Sequence, residues 1–144
     1  MFRIAQLASI ALISLALLSC QNYSAGLEKT VARADETAAM GALHAVAVAQ
    51  QTYSITNDGN YGTFPQLCAG GYLDSRFNSD KPALKDYVLN MEVGNSAQGS
   101  LYKINADPAG DGPQGRHFYI DSSSSAFHVN PTQPASLSDP IVQP

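Results

Sequence analysis

The stretch Asp107-Pro-Ala-Gly-Asp-Gly112 contains the residue types closest to a cation site. Asp107 and Asp111 are carboxylates four positions apart, and the intervening glycine lets backbone carbonyls turn inward. Such a loop could supply part of the roughly six to eight oxygens that calcium takes. A third acidic ligand is missing nearby, and Pro108 and Pro113 suit an ordinary turn equally, so both are weak calcium candidates. The histidines are His44, His117 and His128, with no HxxxH or HExxH spacing. His44 lies between Leu43 and Ala45, where a surface position is expected. His117 and His128 fall on separate expected strands, across which two imidazoles could meet. No Gly-x-Ser-x-Gly elbow, Ser-x-x-Lys motif or Gly-x-x-x-x-Gly-Lys phosphate loop occurs. Cys68, in Phe64-Pro-Gln-Leu-Cys-Ala-Gly-Gly71, has no second ligand at metal spacing. It reads as a small apolar residue under a loop, with pairing to another chain as the alternative. The expectation is a protein that is not an enzyme and uses no cofactor.

Composition bounds the rest. Charged residues are only 14% of the 144 and apolar residues 44%, which excludes a disordered acidic chain and a charge-laced coiled coil. A net charge of −4 offers no attraction to nucleic acid or to anionic headgroups.

Residues 1–19 form a segment with its own logic. Arg3 precedes an apolar run from Ile4 to Ser19, interrupted by Gln6 and small serines. As a helix this run would reach roughly 24 Å at about 1.5 Å per residue, short of a hydrocarbon core of about 30 Å. It fits an export signal. Its end, Leu17-Leu18-Ser19-Cys20, resembles a bacterial lipobox. The resemblance implies diacylglyceryl transfer to Cys20, cleavage before it and acylation of the new amino group. Acyl chains at about 0.8 kcal/mol per buried CH₂ would then hold the protein on a bilayer. An uncleaved anchor or a plain signal peptide are the alternatives. Gln21, where an aspartate would favour the inner membrane, favours the outer one. Removing 19 residues from 144 leaves 125, enough for one core. With Cys20 acylated, Cys68 has no intrachain partner.

The elements follow from periodicity. Residues 20–26 read as the lipidated cysteine and a polar tether. From Leu27 to about Thr56 an Ala-rich helix is expected. Ala39, Leu43, Val46, Gln50 and Tyr53 draw one stripe along it at spacings of four and three. Its small residues make it a helix built to be packed against. Asn57-Asp58-Gly59-Asn60 stops it. Tyr61–Lys85 reads as a packed loop with one helical turn near Pro65–Ala69. Period two then marks strands at Tyr87–Val93, Ser100–Ala106, Arg116–Ile120 and Ala126–Val129. The stripe is expected to meet Val88, Ile104 and Phe118. Residues 131–144, rich in proline, read as an extended tail that cannot continue the ladder. The fold class is α+β: one long N-terminal helix packed on a small antiparallel β-sheet, spanning 27–130.

With these elements placed, Ala34–Asn60 resembles the soluble half of the first helix of type IV pilin-like and type II secretion pseudopilin-like proteins. The run Ala34-Asp-Glu-Thr-Ala-Ala-Met-Gly-Ala-Leu-His-Ala-Val-Ala-Val-Ala-Gln-Gln-Thr-Tyr53, then Gly59-Asn-Tyr-Gly62, carries that similarity. Tyr102-Lys-Ile-Asn-Ala-Asp-Pro108 and Gly115-Arg-His-Phe-Tyr-Ile-Asp121 resemble strands of small pilin-like heads. The order of segments from Ala34 to Val129 is the evidence. No Gly-Phe-x-x-x-Glu processing site occurs in residues 1–30, and the lipobox stands where the apolar filament helix would be. The resemblance implies a pilin-like head on a lipid anchor in the bacterial envelope, with envelope, pilus or secretion proteins as partners. The alternative expectation is an envelope lipoprotein that binds a small ligand or calcium.

Overall fold

The computed structural model describes residues 2–97, 99–110 and 115–142, with side chains from Gly26 onward except those at 28 and 125. The expectations for the signal segment, for acylation of Cys20 and for Asp111 lie outside the described residues or side chains. Helix α1 (Phe2–Thr56) is followed by α2 (Phe64–Ala69) and a single 3₁₀ turn (Ser75–Phe77). Strands β1 (Ala83–Leu84), β2 (Tyr87–Ser96), β3 (Gly99–Pro108), β4 (His117–Asp121) and β5 (Ser124–Asn130) then form one antiparallel sheet in chain order. The α+β class is as expected: one long helix with a five-stranded antiparallel sheet.

Where a tether was expected at 20–26, the backbone is helical. That stretch contains no proline and a single glycine, so no residue in it blocks an i to i−4 hydrogen bond. The far end stops as the turn formers require. Asp58 takes φ 55° and Gly59 φ 79°, and the Gly59 amide donates back to the Ser54 carbonyl at 2.9 Å, the six-to-one bond of a Schellman ending.

The predicted stripe is the buried one. Ala39, Leu43, Val46 and Gln50 are all buried, with Tyr53 half-buried against the same core. Helix α1 lies against β3 and β4, whose inward residues are Tyr102, Ile104, Ala106, Phe118 and Ile120. Val88 does not join them. Tyr87 and Leu89 point inward and Val88 is set opposite Asp107 on the other face. Three successive apolar residues leave the parity of a strand open, because a shift of one position exchanges its faces. The pairs Leu89–Ala106 and Ala106–Phe118 decide it in the ladder.

Gln50 ties the loop to the helix. Its side-chain amide donates to the Gly62 carbonyl at 2.6 Å and accepts from the Gly62 amide at 2.9 Å. A Cβ at Gly62 would come within 3.1 Å of the Tyr53 ring, so a larger residue there would require the ring to give way by a few tenths of an ångström. Behind it, Phe64 and Leu67 of α2 are buried, and Phe64 stacks with Phe77 at 6.3 Å. The helical turn expected near Pro65–Ala69 is α2.

The tail corrects another expectation. Expected not to continue the ladder, it crosses the outer face of the sheet, where Asn105 donates to the Ala135 carbonyl at 2.7 Å, and then bridges β5 at His128–Ile141. Val129 donates to the Pro140 carbonyl at 2.9 Å, Val142 donates to the Phe127 carbonyl at 2.8 Å, and Ala135 is buried. Proline lacks an amide hydrogen but keeps its carbonyl, so Pro140 can still accept.

Candidate functional site

The described side chains of charge and chemistry gather in three places. The first is the end of β3 and the turn that follows it. Asp107, expected in a loop, lies on β3 opposite Val88, because pairing with β2 extends the strand to Pro108. It is held by His117, whose Nδ1 lies 2.6 Å from a carboxylate oxygen. Its calcium partner in the expectation, Asp111, lies outside the described residues. Among those described, no group of three His, Cys, Asp or Glu side chains is placed to hold a metal ion. His128 is buried and its Nδ1 meets the Asp139 carbonyl at 2.7 Å. The register sets His117 opposite Asn130 and His128 opposite Tyr119, so the two imidazoles are not a cross-strand pair, and each has its own oxygen. His44 is exposed.

Cys68 is half-buried and its thiol donates to the Asp74 carbonyl at 3.2 Å. Burial and then the negative charge of Asp74 push the thiol pKa up, which opposes the thiolate form that a nucleophile needs.

The second place joins helix to sheet. Arg116, just ahead of β4, grips Glu36 of α1 with Nη2 at 2.8 Å and its backbone amide at 3.0 Å. Tyr87 donates to the Arg116 carbonyl at 2.7 Å, and the guanidinium lies 5.6 Å from the Phe118 ring centre. Burial acts to raise the Glu36 pKa, but the hydrogen bonds and charge of Arg116, helped by Arg33, outweigh it and hold the carboxyl below its usual value. The sequence reading did not find this pair. The signal was present, since Glu36 sits seven residues before Leu43 on the stripe, and a carboxylate on a buried face needs a cation.

The third place is the helix face turned away from the sheet. An open groove of about 1110 Å³ runs between α1 and the 72–85 segment, floored by Ala38, Gly41, Ala42, Ala45 and Val48. Charged groups at its wall are already engaged: Arg76 with Asp74 at 2.8 Å, and Lys85 with Asp35 at 3.6 Å. Small-molecule sites converge a few polar groups on an apolar pocket; here the polar groups are spent on each other.

No family model, curated protein or solved structure matches this chain. Among the described residues no helix is long and apolar enough to cross a membrane. The chain's own geometry is therefore what bears on function.

Proposed function

We propose that the chain is a lipid-anchored protein of the bacterial cell envelope. It carries a pilin-like head and acts by protein–protein contact, not as an enzyme. The anchor is acylated Cys20, the outer membrane is favoured over the inner one, and the contacts are with envelope, type IV pilus or type II secretion proteins. The observation that carries this reading is helix α1, which runs from Phe2 through the lipobox at Leu17–Cys20 and on to Thr56. One face of it is committed to an antiparallel meander, and the other is covered only along one side, by the 72–85 segment. A helix of this kind is a stalk and a contact surface at once. The rival reading, calcium at Asp107 and Asp111, is less well supported because His117 already occupies the Asp107 carboxylate.

Metabolic labelling with an alkyne fatty acid tests the anchor. The wild-type chain should take up label and Cys20→Ser should not, while Cys68→Ser should label like the wild type. Equal labelling of wild type and Cys20→Ser would overturn the lipoprotein reading.

A further inference from the structure

We propose that the open face of α1 is a pairing seam for a second copy of this chain, with the two helices parallel. The face opposite the sheet carries Leu27, Val31, Val48 and Ile55, which are 50, 52, 48 and 82% exposed. Between them lie Ala34, Ala38, Gly41 and Ala45, with Thr52 beyond Val48. From Leu27 to Ile55 the successive spacings are 4, 3, 4, 3, 4, 3, 4 and 3. A 3.5-residue repeat held through this length is the pattern of a left-handed two-helix seam. It contains no charged residue. The sheet uses a different stripe, and the 72–85 segment lines only one side of this one.

Gly41, near the centre of the seam, sharpens the pattern. A glycine in a helix interior costs about 1 kcal/mol relative to alanine, and a Cβ added there would meet nothing within 4 Å. The head does not require glycine at this position. Close approach of another helix backbone does, and the alanines on either side keep the approach open.

The occupant is argued from charge, area and direction. Thr30, Thr37, His44 and Gln51 flank one side of the seam, with neither carboxylate nor ammonium among them. The other flank carries Glu28, Asp35, Ala42 and Ala49, of which Asp35 is tied to Lys85, and both acidic positions lie across from the uncharged flank of the partner. In a parallel pair each flank meets the opposite flank of its partner, so two identical copies meet without like-charge repulsion. A seam of 29 residues is about 42 Å long and about 10 Å wide, which covers roughly 400 Å² per copy. The total of about 800 Å² falls below the 1,200 Å² or so typical of stable complexes. Pairing is therefore weak in dilute solution and depends on the high effective concentration that a shared surface supplies. That dependence, and the parallel direction, rest on the anchoring proposed above: two chains leaving one membrane through Cys20 must run the same way. Leu27 then follows Cys20 by about 10 Å of helix.

Cysteine cross-linking of the full chain in cell membranes tests the seam, in a Cys68→Ser background. Under mild oxidation Val31→Cys and Val48→Cys should each give a covalent dimer, several-fold more than Lys29→Cys on the opposite side. Co-expressed Val31→Cys and Val48→Cys chains, distinguished by size tags, should give no mixed dimer. Adding Gly41→Glu to Val31→Cys should abolish the dimer while leaving the urea midpoint of the head nearly unchanged. Absence of dimer from both seam cysteines would overturn the pairing, and a dominant Val31–Val48 mixed dimer would overturn the parallel direction. The parent without an added cysteine must stay monomeric on oxidation. A dimer there would show a free Cys20 thiol, which speaks against the anchor and is distinct from failure of the seam.

Discussion

The two faces of α1 carry the same kind of pattern and meet opposite fates. Both repeat apolar or small residues at spacings of four and three. On one face Ala39, Leu43 and Val46 are buried against β3 and β4; on the other Ala45, Val48 and Ile55 stay in solvent. The difference lies in side-chain size and in what the chain can bring to each face. The inner face offers Leu43 and Val46 at its centre and receives large residues such as Phe118 and Ile104 from the sheet. The outer face has glycine and alanine at its centre, and the chain covers it only along one side, at the 72–85 segment. A helix apolar on both sides is normally enclosed on both. This one is enclosed on one.

The largest effect should come from the inner face. Leu43→Ala removes a fully buried side chain and should cost about 2–5 kcal/mol in a urea melt. Domains of this kind total only about 5–15 kcal/mol, so the variant should be markedly destabilised or unfolded. A nearly unchanged midpoint would mean that α1 does not pack on the sheet.

A smaller effect is expected at the junction of helix and sheet. Arg116→Ala should cost about 1–2 kcal/mol at pH 7, a reduced figure because the guanidinium is partly exposed. The pH dependence carries a sign. Glu36 has its folded pKa held below the ordinary carboxyl value, so its contribution is present above that ordinary value. It is lost as pH falls through the folded pKa. Melts of the wild type should therefore lose stability between neutral pH and acid more steeply than melts of Arg116→Ala. Parallel pH profiles would remove the pair as a source of acid sensitivity.

The smallest effect sharpens the contrast. Val48→Ala and His44→Ala, both at exposed positions, should each shift stability of the isolated head within about 0.5 kcal/mol. A large loss at Val48 in a monomeric head would show that the outer face already packs against something in its own chain.

How much of this could be read in the chain depends on the range of the cause. The buried stripe, the helix stop at Asn57–Gly59, α2 and the four long strands were legible, because each rests on local periodicity or on the backbone preferences of single residues. The long strands nevertheless run beyond the expected ends, as in β2 to Ser96 and β3 to Pro108, since pairing across the ladder rewards extension that propensity alone does not. The two-residue β1 was not legible, being too short to carry a period.

At the candidate sites the same division holds. The sequence alone put His117 on a strand but left Asp107 in a loop; pairing with β2 extends β3 to include Asp107, and its side chain then meets His117 at 2.6 Å. The face on which Val88 lies, the return of the proline-rich tail to β5, and the Glu36–Arg116 pair were likewise decided by tertiary structure. Each depends on residues far apart in sequence, and Glu36 and Arg116 are 80 positions apart. Periodicity is a property of neighbours along one element, so it determined which residues share a face of α1. Which of its two faces would be covered was decided by where the sheet came to rest, and that is set by the packing of large side chains between distant segments.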